Sequence, residues 1–254
     1  MSIPVPAVRS ARRLRAFTLI EVLLASTLTA ILLGMLLSVL GGVLDSWNQT
    51  SGREESYRDA RAALQIFGQD FTARVPQREG ISPLITDLRV ASEPNPSGKS
   101  LGFLCRVSNK SQPSPQNQSD ICAAAYYVAP IPGATPPVPA LYRQLLPSDT
   151  TFTRLQGASP LFPDPCSPAQ PNAEVVAQNV TRFEARFLDS NFNPLPLTPA
   201  GSGGAATTPA HVEIELHVIN SRAAQVYFSP ETPPARRAQI LQQDSRKFSI
   251  RYPL

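Results

Sequence analysis

The pattern of apolar and polar positions changes character twice along the chain. From Ala16 to Leu44 the sequence AFTLIEVLLASTLTAILLGMLLSVLGGVL is apolar apart from a few hydroxyls and one charge, Glu21. An α-helix rises about 1.5 Å per residue, so roughly 20 apolar residues cross a bilayer core. This stretch is long enough to span. From Asp45 to Val75 the composition turns polar, yet Tyr57, Ala60, Leu64, Phe67 and Phe71 recur at spacings of three and four, on one helical face. Arg53, Glu54, Arg58, Asp59, Arg61 and Asp70 occupy the remainder, and no proline intervenes before Pro76. One long helix to about Arg74 is predicted, its outer half packed on a globular head. A detached coiled coil is the alternative, but the stripe lasts only about two heptads where three or four are needed.

Beyond Pro76 short alternating or apolar runs are separated by loops rich in Pro, Ser, Gly and Asn. Strands are predicted at 84–90, 101–107, 123–128, 140–145, 180–188, 211–219, 225–228 and 247–252. The loops at 92–99, 108–120, 130–139, 157–173 and 193–209 hold most of the 27 prolines and are expected to be exposed. ARRAQILQQDS, between Pro233 and Ser245, reads as a short helix. Two strands are especially regular. Phe183, Ala185 and Phe187 alternate with Arg182, Glu184 and Arg186, and Val212, Ile214, Leu216 and Val218 alternate with His211, Glu213, Glu215 and His217. They should pair antiparallel. The fold class is therefore α+β: a long amino-terminal transmembrane helix continuing into a helix packed on antiparallel β-sheet. The expected divisions are a basic leader at 1–16, a membrane helix at 17–44, its amphipathic continuation at 45–75 and a β-rich head at 76–254.

Charge changes this picture in one respect. The net charge of +4 invites a nucleic-acid reading, but residues 1–16 contain four arginines and no acid. Without them the 23 basic residues fall to 19, equal to the 19 acidic ones. No nucleic-acid partner is expected. Arg9, Arg12, Arg13 and Arg15 instead fit the positive-inside rule, which keeps the amino end cytoplasmic and exports the chain beyond Leu44.

The order of these features is unlike an ordinary secretory signal, whose cleavage site lies after the apolar core. Here the basic residues are succeeded at once by Ala16 and then by FTLIEVLLA. This resembles the type IV prepilin signal shared by type IV pilins and the pseudopilins of type II secretion, with Ala16 where the family usually has glycine. The resemblance implies cleavage by a prepilin peptidase between Ala16 and Phe17, N-methylation of Phe17, and retention of the apolar helix. It also implies an assembly role for Glu21, pairing with the amino terminus of a neighbouring subunit. A carboxylate at mid-membrane costs about 2.5 to 3.5 kcal/mol, so Glu21 needs a partner or an interfacial position, and placement at headgroup depth beside the arginines is the plainer alternative.

The resemblance extends in order and patterning to about residue 219: the long helix, the runs Tyr126-Tyr127-Val128 and Ala140-Leu141-Tyr142-Arg143, VAQNVTRFEARFLD, and the P-x-x-V-E-I-E-L strand. These are most similar to a J-type minor pseudopilin. Residues 220–254 lie beyond the match. The implied partners are the prepilin peptidase, other major and minor pilins or pseudopilins, the inner-membrane secretion or assembly platform, and the membrane itself. The implied location is the bacterial inner membrane, single-pass with the head periplasmic, and then the filament.

Candidate chemistry adds little. Cys105, Cys122 and Cys166 lie in the exported part, where one disulfide is possible. Cys105 with Cys122 is favoured, since each ends a strand-like run with a polar loop between, and closing such a loop contributes roughly 3 kcal/mol. Spacing does not fix the connectivity, and three reduced thiols remain the alternative. There is no CxxC pair. His211 and His217 share a strand face with Glu213 and Glu215, an arrangement read as a solvated face rather than a metal site. Nucleotide, hydrolase and metalloprotease fingerprints are absent. No catalytic residue, metal or cofactor is expected, and four N-x-S/T tripeptides at Asn48, Asn109, Asn117 and Asn179 are read as chance. The sequence thus points to a structural subunit, not an enzyme: a minor pilin or pseudopilin at or near a filament tip. The rival is a membrane-tethered exported enzyme or ligand-binding module on an uncleaved anchor.

Overall fold

The computed structural model describes residues 18–76, 84–86, 88, 90, 100–108, 111–112, 119–157, 160–162, 165–195 and 209–254. Helix α1 is Leu19–Thr72, and the chain divides into a unit ending at Asn48 and a unit Gln49–Leu254.

In the first unit, Leu19–Leu44 is an apolar helix of 26 residues with mean hydropathy 2.3, none of it buried by protein. Its hydroxyls are satisfied internally: Ser26, Thr27 and Thr29 donate to the carbonyls of Leu23, Leu24 and Ala25 at 2.7–2.9 Å. Such back-bonding lets a polar side chain sit in an apolar helix without an unpaired group.

In the second unit the remainder of α1 covers two antiparallel sheets. The first has five strands in sequence order: β1 (Leu84–Thr86), β2 (Leu101–Arg106), β3 (Ile121–Pro130), β4 (Pro139–Leu146) and β5 (Ala173–Gln178). The second has three: β6 (Val180–Leu188), β7 (His211–Ile219) and β8 (Ser245–Pro253). Short helices α2 (Ser148–Gln156), α3 (Ser221–Tyr227) and α4 (Pro234–Asp244) complete the described elements. Just past α1, Val75 donates to the Leu104 carbonyl and Arg106 to that of Ala73, so the helix exit is stitched to β2.

The stripe predicted on α1 is the seam of the main core. Ala60, Leu64, Phe67 and Phe71 are buried, and Tyr57 packs at the edge. Phe67 meets Phe103 and Tyr126 edge-on at ring separations of 5.8 and 4.9 Å, and Phe183 of the second sheet at 6.5 Å. One helix side chain thus touches both sheets. Burying such a ring is worth roughly 1.5 to 3 kcal/mol by transfer alone.

β3 is buried on both faces, which explains its uninterrupted apolar sequence. Ala124, Tyr126 and Val128 face the main core, while Ala123, Ala125, Tyr127 and Ala129 face a second one. The 157–173 segment, expected to be exposed, closes that second core with Phe162 and Cys166. The correction has a local cause: a side chain at Gly102 would collide with the Phe162 ring, so the missing Cβ lets the ring lie directly on the sheet.

Two further expectations change. Of the strand placed at 225–228, residues 225–227 are the last turn of α3 and Phe228 is its C-cap; the amino end of α3 is capped by Asn220, its side chain accepting from the Ala223 N–H at 2.7 Å. β5, whose Ala-Glu-Val-Val-Ala-Gln sequence carries no alternating signal, is a strand that the pattern does not predict. Of the expected strand 84–90, residues 84–86 form β1, and positions 87 and 89 lie outside the described residues. Most of the predicted loops at 92–99, 108–120 and 193–209 also lie outside them.

Candidate functional site

Ala16 and Phe17, the expected cleavage and methylation positions, lie outside the described residues. Glu21 is described, at the first turn of α1. Its N–H donates to the Thr18 hydroxyl oxygen at 3.3 Å, and the Thr18 hydroxyl in turn donates to the Glu21 carboxylate at 3.5 Å. Thr18 and Glu21 therefore hold each other across a capping-box spacing, T-x-x-E, which places the carboxylate at the positive end of the helix. The T-x-x-E signal is present in the sequence but overlaps the larger motif. From Val22 to Leu44 there is no further charge. Leu19, Ile20 and the other large apolar side chains of this segment are exposed, which in water is unsustainable over such a length and requires lipid or other chains around it.

A second constellation ties α1 to the first sheet. Arg143 of β4 grips Asp70 with two parallel bonds, Nε to Oδ2 at 2.6 Å and Nη2 to Oδ1 at 3.0 Å. The Tyr126 hydroxyl donates to the same Oδ2 at 2.6 Å, and Arg143 Nη1 donates to Glu174 of β5 at 2.7 Å. Asp70, which the helical pattern places off the apolar stripe, is buried. Burial alone would lower the Arg143 pKa, but the hydrogen bonds to Asp70 outweigh it and hold the guanidinium above its ordinary value. Burial, helped by the Asp70 charge, pushes the Tyr126 phenol well above its ordinary range. A guanidinium held in its charged form by a two-pronged carboxylate contact, with a neutral phenol beside it, makes this a fastener rather than an acid–base centre.

The histidine and glutamate face of β7 is less solvated than expected. Glu215 is only 2% exposed and is gripped by Arg186 at 3.0 Å and by Lys247 of β8, while Glu213 pairs with Arg251 at 2.8 Å. Glu184 lies directly opposite Glu215, and Arg182 and Arg186 offset the repulsion. Burial raises both carboxylates, yet their cationic neighbours prevail and both end below the usual range. Each carboxylate has its cation. Among the described residues no His, Cys, Asp and Glu group could hold a metal ion.

The cysteines divide by face. Cys105 and Cys122 are direct cross-strand partners on β2 and β3, both in the main core, whereas Cys166 lies in the second core. All three are buried, and the structure joins none of them to another in a disulfide. Asn179, one of the N-x-S/T positions, is buried and donates to Ser221.

Residues 11–37 match the model of the prokaryotic N-terminal methylation motif. The match spans Ala16, Phe17 and Glu21 and the start of the apolar helix. It supports a type IV pilin or pseudopilin subunit. Such subunits are structural, not enzymes, and the apolar Leu19–Leu44 helix is consistent with membrane anchoring. Among solved structures the chain is similar to a type IV-like pilin, TTHA1219 from Thermus thermophilus, at 12% identity over 78% of this chain and 95% of that one, with a TM-score of 0.37. No curated protein matches significantly.

Proposed function

We propose that this chain is a minor pilin or pseudopilin, most like the J type, acting as a structural subunit at or near the tip of a type II secretion pseudopilus or type IV pilus-like filament. The observation that supports it most is Glu21, a single carboxylate at the amino end of a long uncharged helix, inside the methylation motif. The prepilin peptidase cuts between Ala16 and Phe17, releasing the leader 1–16, and Phe17 is then N-methylated. The new amine of one subunit meets Glu21 of its neighbour. Such a pair removes the cost of an isolated carboxylate in an apolar layer and fixes the axial register of adjacent helices.

Residues 17–44 hold the subunit in the bacterial inner membrane, with the amino end cytoplasmic, and later lie in the filament core. The head is periplasmic, and the assembly platform and other major and minor subunits are its partners. The test is Glu21→Ala. Removing the carboxylate makes the helix more apolar, so membrane insertion is retained, while crosslinking to other filament subunits falls. Equal crosslinking in the variant and the parent would contradict the assembly role.

A further inference from the structure

β8, the last strand of the second sheet, packs against α1 through Tyr252, which meets Phe67 and Phe71, but its apolar side chains are only partly covered. On β7 the inward side chains Val212, Ile214 and Leu216 are completely buried. Their direct partners on β8, Tyr252, Ile250 and Phe248, are only half-buried. The apolar face is therefore left partly uncovered at β8. Beside it lies a groove of ≈ 870 Å³ between α1 and β8, lined by Leu64, Gly68, Phe248, Ile250 and Tyr252, with Arg61 at its rim. A Cβ at Gly68 would strike the Tyr252 hydroxyl, so the glycine lets β8 come close under the helix at this point.

Among the described residues β8 pairs only with β7, leaving its other main-chain edge without a partner strand. The groove runs along that edge. Along β8 it extends from Phe248 to Tyr252, about 14 Å at strand rise, and along α1 from Arg61 to Thr72, about 16 Å at helix rise. The two lengths agree on an occupant of about five extended residues, with alternate side chains facing in.

We infer that β8 accepts an added strand from a different polypeptide, an extended segment whose alternate apolar side chains fill the groove beneath α1 and which carries a carboxylate for Arg61. Charge decides against a second copy. The β8 sequence contains no acid, and its Lys247 and Arg251 are held by Glu215 and Glu213. Arg246, like Arg61, has no carboxylate partner among the described residues, so a second β8 edge would bring a further cation and no carboxylate to the groove. Among the described residues no carboxylate lines the groove. Main-chain pairing would supply affinity, and the groove and Arg61 the selectivity. The inference rests on the head alone and does not depend on processing at Phe17.

The experiment uses the full chain in detergent micelles and a fluorescent peptide of about seven residues, valine alternating with serine and with aspartate in place of one terminal valine, so that the carboxylate and the valines share the face turned to α1. Its controls are a peptide of the same composition in shuffled order and one with lysine in place of aspartate. Saturable anisotropy with the alternating acidic peptide alone is expected, with new hydrogen-exchange protection over 245–253. Arg61→Glu, a change at an exposed position, should weaken that peptide about tenfold and bring up binding of the lysine peptide. The inference is overturned if no peptide saturates, if protection appears elsewhere, or if Arg61→Glu leaves the preference unchanged. It is equally overturned if the outward β8 amides are already protected in the free protein, whether by a second copy or by the chain itself.

Discussion

Asp70 on the helix and Arg143 on β4, 73 residues apart in sequence, meet in a two-pronged ion pair that Tyr126 completes from β3. The pair lies at the carboxyl end of α1, one residue before Phe71, so a buried charge and a buried ring fix the same turn of helix to the same sheet.

Removing Asp70 leaves the buried guanidinium with only the solvent-exposed Glu174 as its partner and takes the acceptor from the buried Tyr126 hydroxyl. Asp70→Ala is therefore expected to destabilise the head by about 3 to 5 kcal/mol, a large part of a typical domain's stability. Removing both partners and restoring apolar volume, as in Asp70→Leu with Arg143→Met, should recover much of the loss. Denaturant unfolding of the single and double variants checks this. A single variant as stable as the parent would show that the pair fastens nothing.

The second sheet should lose stability in two stages as pH falls. Burial holds the His217 pKa below 6.5, with Arg182 and Lys247 acting in the same direction against the opposing Glu215. A group with a depressed folded pKa stabilises the fold above its unfolded value, and that contribution disappears as pH falls through the folded one. His217 accounts for the first stage, below 6.5, and Glu184 and Glu215, depressed from 4.5, for the second. Melting temperature measured against pH should fall less over the first stage in His217→Gln than in the parent. Parallel curves would contradict the assignment.

With the head exported as proposed, Cys105 and Cys122 are expected to form a disulfide, because they oppose each other directly while Cys166 lies across the sheet. Burial pushes the Cys122 thiol up to about 11 and the Cys105 thiol higher still, so alkylation must be done on unfolded protein. Mass spectrometry should then find one modified cysteine, Cys166, before reduction and three after. Loss of the bond in Cys105→Ser should cost about 3 kcal/mol. Three modifiable thiols in unreduced periplasmic material would rule the bond out.

Whatever repeats with a local period is legible in the sequence. The stripe from Tyr57 to Phe71 and the alternation in β6 and β7 each specify a buried face within a few turns or residues, and the structure buries those faces. The apolar span and Glu21 are equally legible, since composition alone marks them. Asp70 is misplaced by its helical position because only the chain's tertiary course brings it to Arg143. Phe162 is misplaced because its burial depends on the absence of a side chain at Gly102, on a different element. The aromatic pair Tyr227-Phe228 suggests a strand, but Asn220 and its bond to Ala223 start a helix before that preference acts.

A processed filament subunit differs from an intact membrane-tethered protein in its mass, which is measured on the protein extracted from membranes of cells that contain the prepilin peptidase. The expected mass corresponds to loss of residues 1–16 with one methyl group on Phe17. A protein still beginning at Met1 in those cells would contradict it.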